Sequence, residues 1–332
     1  MDVLGAILIC SVAAVSIFGR NANPGLMGMA LSYCLLNTEL LNGLIRGISD
    51  VESRMNSVER IEQYTRIDVE RLPIIQGRRP PKAWPSEGRI MFNDVFLRYR
   101  EGLPLVLNGL TFKIRPSEKI GIVGRTGAGK SSLLTALLSL APLSSGKIEI
   151  DGVDINEIGV DDLRSKLSII PQDPCIFDGN VRHNIDPFGK YSDNEIWETL
   201  RRVHLADAIE ALPNKLDSEL ADEGANFSLG QRQLLCVARA ILRRSKILLL
   251  DEASSSIDLE TDYLLQRTLR TEFSDCTTIT IAHRLATIMD SDRVMVLEAG
   301  KLKEFDSPAN LLANPNSIFF SLHQQAQSSA SH

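Results

Sequence analysis

Gly124, Arg125, Thr126, Gly127, Ala128, Gly129, Lys130 and Ser131 stand in a row with the spacing Gly-x4-Gly-Lys-Ser. Such a run grips phosphate. Glycines let backbone N–H groups turn inward around anionic oxygens with no Cβ in the way. Lys130 has the reach to bridge terminal phosphates, and the Ser131 hydroxyl can bind Mg²⁺. The motif needs a strand before it and a helix after it. The run Lys119-Ile-Gly-Ile-Val123 reads as a buried strand, and residues 132–140 have the spacing of a packed helix whose positive end faces the same anion. A chance glycine-rich turn would not come with both flanks.

Further groups stand where they could serve a triphosphate. Asp251 and Glu252 come after the apolar run Ile247-Leu-Leu-Leu250, a carboxylate pair at the end of a buried strand. Asp251 can hold Mg²⁺ through water, and Glu252 can polarise an attacking water. Gln172 ends another strand-like run and could touch the metal or that water. Ser228 is a good helix N-cap and opens a second anion site. His283 ends the β-branched run Ile279-Thr-Ile-Ala and could donate to a terminal phosphate. Tyr99, at the end of a strand-like alternation, could stack on a base. Taken singly, a strand tyrosine usually packs and a lone histidine is usually structural; the weight lies in the set.

The elements that must carry these groups are legible in outline. Residues 87–320 alternate strand and helix patterns, which predicts an α/β domain with a largely parallel sheet. At 332 residues the chain has room for one large domain or two small ones. Its net charge of −6 argues against a nucleic-acid partner. Five scattered cysteines form no CxxC pair, which argues against a zinc site or disulfide framework and fits a reducing compartment. Cys236 lies in an apolar run and reads as a core residue.

The N-terminal part differs. Residues 3–18 carry no charge but lack the basic lead of a signal peptide, so they read as a membrane helix without its N-terminal portion. Residues 24–45 form a second apolar stretch interrupted by Asn37, Glu39 and Asn42. These line a path or join helices by hydrogen bonds. Arg46, Arg54 and Arg60 come next, placing that side in the cytosol. Residues 47–70 continue as a polar helix. Pro73 and the run 77–85, rich in Pro and Gly, read as a linker. The expected organisation is 1–72 as the end of a membrane domain, 73–86 as linker, 87–323 as the nucleotide-binding domain, and 324–332 as a disordered tail.

Together these motifs resemble the ATP-binding cassette (ABC) domain. Residues 124–131 match its Walker A motif, Gln172 the Q-loop, residues 227–231 the signature, 248–251 Walker B, 255–258 the D-loop, and His283 the switch histidine. Residues 226–231, 174–188 and 258–262 resemble the second cassette of multidrug-resistance-associated transporters of the C subfamily, and residues 23–33 and 58–64 resemble that family's last membrane helix and its extension. The resemblance implies an α/β P-loop NTPase, with a mixed sheet core and a helical subdomain, preceded by two membrane helices. It implies ATP and Mg²⁺ as ligands. Tyr99, residues 124–131 and Ser132 would bind nucleotide on one cassette, with Ser228, Gly230, Gln231 and Asp258 reaching the nucleotide of a second. Ser131, Gln172 and Asp251 would attend the metal, and Glu252, His283 and Gln172 the hydrolysis. A multi-pass membrane exporter of organic anions or conjugates, with its cassette in the cytoplasm, is implied by the same resemblance; a regulatory or channel-gating cassette with little turnover is the alternative, as is a truncated piece without function. Leu229 departs from the common signature, which has glycine there. The chain also has one cassette where such transporters have two.

Overall fold

The computed structural model describes residues 2–18, 23–67, 69–221, 224–251, 259–282 and 285–330. The chain divides into two compact units, Met1–Glu70 and Arg71–His332.

The first unit holds α1 (Asp2–Phe18) and α2 (Pro24–Thr65). Asn23 caps α2 by accepting from the Gly25 N–H, and Pro24 occupies the first turn, where its missing donor costs nothing. The two helices meet closely at Gly5, where an added Cβ would come 2.6 Å from Thr38 Cγ2. Along α2 no residue is buried; Leu35, Leu36, Leu40, Leu41 and Leu44 are exposed. No helix among the described residues is long and apolar enough to cross a membrane. The 17 residues of α1 make about 25 Å of helix, short of a hydrocarbon core of about 30 Å. The helix α2 has the length, but Asn37, Thr38, Glu39 and Asn42 dilute its apolar run. The two expected membrane helices are thus present as helices, and neither presents a span.

The second unit begins with residues 71–89, irregular as their Pro and Gly content predicts but fastened to the sheets and helices of that unit. Arg71 donates to the Ile155 carbonyl (2.8 Å) and to Ser139 Oγ. Val160 and Asp161 donate their N–H groups to the Leu72 and Pro73 carbonyls. Arg79 makes a forked ion pair with Asp162. Trp84 is buried and donates its indole N–H to the Ile150 carbonyl at 2.8 Å.

The strands are β1 (Ile90–Leu97), β2 (Leu107–Ile114), β3 (Lys119–Val123), β4 (Leu143–Ile150), β5 (Val153–Asp154), β6 (Leu167–Ile170), β7 (Gly179–Asn180), β8 (Glu219–Leu220), β9 (Ile247–Asp251), β10 (Thr277–Ile281), β11 (Arg293–Glu298) and β12 (Lys301–Asp306). An antiparallel sheet runs β2-β1-β4-β5. A six-stranded sheet runs β12-β11-β3-β10-β9-β6, parallel except at its β12 edge. Strand β9 shows why a parallel strand reads as a continuous apolar run. It is covered on both faces, and Ile247, Leu248 and Leu249 are fully buried.

The helices are α3 (Lys130–Leu137), α4 (Val160–Arg164), α5 (Val181–Ile185), α6 (Asp193–Arg202), α7 (Ala206–Glu210), α8 (Leu229–Arg243), α9 (Leu259–Glu272), α10 (Leu285–Ile288), α11 (Pro308–Ala313) and α12 (Ile318–Ala330). One core joins the two sheets around α3; a second gathers α5 to α9 around Leu200, Leu235 and Val237. The mixed sheet core with a helical part matches the expectation. The C-terminal end differs from it. Phe319 is fully buried near the start of α12, and the Ala- and Gln-containing run after it continues the helix to Ala330, through residues expected to be disordered.

Candidate functional site

The site is built along the C-terminal edge of the parallel sheet, where ligands bind in open α/β folds. Register fixes the geometry: Ile122 on β3 lies opposite Ile281 on β10, which lies opposite Asp251 on β9, while Leu250 pairs with Ile170 on β6. The phosphate loop leaves β3 two residues past that row. Gln172 leaves β6 two residues past its own pairing, and it is exposed. Asp251 is half-buried at the strand end. Four features far apart in the sequence, at positions 124–131, 172, 251 and 228, are thereby attached to one sheet or to the helix packed beside it.

The loop has no room for side chains where it bends. Gly129 has φ 101° and an added Cβ would stand 2.9 Å from the Val106 carbonyl oxygen. At Gly124 an added Cβ would meet the Leu297 carbonyl oxygen at 2.4 Å. Arg125, Thr126, Gly127 and Ser131 are exposed, while Ala128 and Ser132 are buried. The Lys130 ammonium is folded over the loop, donating to the Gly124 carbonyl at 2.8 Å and the Arg125 carbonyl at 3.2 Å, and the residue is only 8% exposed. A positive group over a glycine-lined loop, at the positive end of α3, is a cradle for phosphate oxygens. The shape and donors of this cradle fit a nucleotide triphosphate. Tyr99 is half-exposed, and its hydroxyl lies 3.0 Å from Ser132 Oγ, so the ring is held beside the first turn of α3.

Ser228 caps α8 in a reciprocal box. Its Oγ accepts from the Gln231 N–H (3.2 Å), and Gln231 Oε1 accepts from the Ser228 N–H (2.9 Å). Gly230 is buried in the first turn, Leu229 is half-buried, and Ser228 is exposed. Glu252, Asp258 and His283 lie outside the described residues.

Two features were not legible in the sequence. A groove of about 820 Å³ opens between residues 74–79, β6 and the helical part, lined among others by Arg79, Arg164, Phe177, Tyr191 and Arg239. Behind it, α8 is fastened to the stretch after β6 by Gln233 and Arg239. Burial draws the Arg239 guanidinium below its ordinary pKa and pushes the Cys236 thiol above its own. Both features depend on tertiary contacts between segments far apart in the chain, 62 and 64 residues for the ties and 83 for Arg79 and Asp162, for which local sequence carries no signal.

Fold and site together define a nucleotide-binding domain of the P-loop class. Residues 107–255 match the family described as ABC transporter. The chain is 50% identical over 330 residues to the metal resistance protein YCF1 of Saccharomyces cerevisiae, covering 98% of this chain and 22% of that protein. It is 48% identical over 327 residues to ATP-binding cassette sub-family C member 3 of Rattus norvegicus, covering 98% of this chain and 21% of the relative. It spans about a fifth of the length of these curated relatives. The solved structure of a bacterial Atm1-family ABC exporter with ATP bound is similar with a TM-score of 0.69 at 30% identity, over 90% of this chain and 52% of that one. The chain belongs to the ABC transporter family, and its relatives place it with the C sub-family.

Proposed function

We propose that this chain is the ATP-hydrolysing part of a membrane exporter, acting with a second cassette. The observation that carries the proposal is the shared sheet edge, where Lys130 covers a glycine cradle and Asp251 ends the neighbouring strand but one. ATP is gripped by residues 124–131 and Ser132, with its base against Tyr99. Ser131, Asp251 and Gln172 are the donors suited to Mg²⁺, which supplies charge neutralisation on the phosphates when bound. Glu252 holds and deprotonates the attacking water, and His283 donates to the γ-phosphate under attack. One cassette covers the phosphates from one side only. Ser228, Gly230, Gln231 and Asp258 of each cassette therefore close over the nucleotide of the other, adding donors where charge develops. Cleavage replaces one bound anion with two that repel, and the pair parts.

Residues 1–72 are then the end of a membrane domain and residues 87–323 the nucleotide-binding domain. The exposed apolar residues along α1 and α2, among them Ile7, Val15, Leu36 and Leu40, support this reading, because single helices seldom leave such faces to water. The transported compound is an organic anion or conjugate, by likeness to the C sub-family.

The test is Mg-ATP turnover by the full chain in lipid nanodiscs, alone and with the cassette it pairs with. Glu252→Gln is expected to keep nucleotide binding and lower turnover by about a hundredfold or more, the usual contribution of a positioned base. Sustained turnover by that variant would remove Glu252 from the mechanism. Binding without turnover in the unmodified protein would favour a regulatory cassette.

A further inference from the structure

Helix α8 is capped by Ser228, yet one stripe further along it is fastened to the backbone around Gln172. Positions 233, 236 and 239 recur at every third residue and so share a face. Gln233 is 1% exposed, and its Nε2 donates to the Pro171 carbonyl at 3.0 Å. The Cys236 Sγ lies 4.0 Å from the Cys175 carbonyl oxygen. Arg239 donates from Nη1 to that same carbonyl, from Nε to the Asn184 carbonyl, and from Nη2 to Asn184 Oδ1 at 2.7 Å. Its guanidinium stacks 4.7 Å from the centre of the Phe177 ring. Asn184 is fully buried and completes the tie. It accepts from the Phe177 N–H (2.8 Å) and donates to the Phe177 carbonyl (2.8 Å) and the Asn180 carbonyl (3.1 Å). The bonds from α8 fall on carbonyls 171 and 175, one on each side of Gln172.

These contacts are costly ones for packing alone. Gln233 Oε1 is buried with no hydrogen-bond partner among the described residues. The hydrogens of Arg239 go to neutral acceptors, the carbonyls of Cys175 and Asn184 and the Asn184 amide oxygen. An unpaired buried amide oxygen disfavours folding, a half-buried cation on neutral acceptors gains little for its desolvation, and apolar residues of similar volume would avoid both. What the polar residues add is direction: each holds a particular carbonyl at a fixed distance from the helix.

We propose that Gln233 and Arg239 are positioning residues that lock the segment carrying Gln172 to the helix headed by Ser228, so that the two move as one body. The inference rests on the ATP-hydrolysing reading of the site. In a pair of cassettes, Gln172 serves the nucleotide held by its own Lys130, while Ser228 serves the nucleotide held by the other cassette. A rigid tie makes a change at one nucleotide move the closing group at the other. Gln233 lies five positions after Ser228, about 7–8 Å of rise, which is too short to absorb the movement by bending.

The experiment uses the full chain with its pairing cassette in nanodiscs. Arg239→Gln and Gln233→Met remove the ties at similar volume, and Arg239→Lys keeps the charge and one donor. Three quantities are read: the Kd for a fluorescent ATP analogue, kcat for Mg-ATP, and amide hydrogen exchange in residues 172–177 and 228–232. In the unmodified protein, Mg-ATP is expected to protect both segments together. In Arg239→Gln and Gln233→Met, exchange in 172–177 rises at least tenfold and protection of the two segments separates. There Kd stays within about twofold and kcat falls at least tenfold, while Arg239→Lys recovers part of kcat. Should Arg239→Gln fail to fold, Gln233→Met decides. Unchanged exchange in 172–177, or protection that still rises and falls together, overturns the proposal. So does a loss of Kd and kcat in step with a lowered Tm, which marks a structural role only. If the unmodified protein binds nucleotide without turning it over, the hydrolysis reading fails and the exchange arm still judges the tie.

Discussion

Lys130 illustrates how one side chain is prepared for an anion. Its ammonium is held over the loop by two backbone carbonyls, Gly124 and Arg125. A phosphate therefore meets a cation whose position is set, and a charge-assisted bond to phosphate is stronger than either of these bonds to a neutral carbonyl. Lys130→Ala is expected to weaken Mg-ATP binding at least tenfold, read by fluorescent-nucleotide titration; binding within twofold of the parent would contradict the role. Gly129 carries a different constraint. Alanine there must adopt φ near 101° and push a Cβ against the Val106 carbonyl. Gly129→Ala should cost about 1–3 kcal/mol of stability and distort the cradle, lowering both Tm and nucleotide affinity. Tyr99→Phe keeps the ring proposed to stack on the base and loses the bond to Ser132. Asp151 gives a pH signature. Burial pushes its carboxyl upward, but N–H donors from Glu87, Gly88 and Arg89 outweigh that and hold it below the ordinary carboxylate range. Its contribution to stability is therefore complete above the unfolded value of about 3.9 and is lost as pH falls through the folded one. Asp151→Asn should flatten the fall in Tm between neutral and acid pH; an identical acid limb in parent and variant would refute it.

At the scale of elements, the sheet edge and α8 decide the outcome. Strand β9 is apolar from Ile247 to Leu250 because both its faces are covered, and that burial brings Asp251 to the edge. Leu249→Ala should cost about 2–5 kcal/mol, measured by chemical denaturation, and blunt nucleotide binding only through lost folding. Ser228→Ala removes a side-chain cap worth about 1 kcal/mol, a shift of a few degrees in Tm for a domain of this size. It should also cut turnover by the pair far more than nucleotide binding by the single chain. These elements were legible because Gly-x4-Gly-Lys-Ser and the leucine run are local signals set by backbone requirements. The groove and the α8 tie were not legible, because Pro171, Cys175 and Asn184 become neighbours of Gln233 and Arg239 only after the chain folds back by some fifty to sixty residues.

At the scale of the molecule, two units differ in what they expose. The cassette has three apolar cores, whereas α2 buries nothing and shows leucines along its first half. Such a surface needs lipid or other helices to cover it. The full chain is expected to float with liposomes in a sucrose gradient and to stay bound through a high-salt wash; release by salt alone would detach this unit from any membrane role. Residues 71–85 belong with the cassette rather than hanging free, since Arg71, Arg79 and Trp84 each bond to it.

The amino-acid order alone pointed to the chemistry. A glycine cradle, a lysine, a serine and a strand-end carboxylate are each required by what a phosphate needs from the backbone and charges within a few residues, so they show in a short window of sequence. It also settled the alternation of strand and helix, because burial imposes its period locally. Only the tertiary structure decided the strand order that sets Ile122, Ile281 and Asp251 in one row, the fastening of a Pro-rich stretch, and the bonds from α8 to carbonyls 171 and 175. Those depend on which distant surfaces bury each other, a property of the whole packed chain that no local pattern carries.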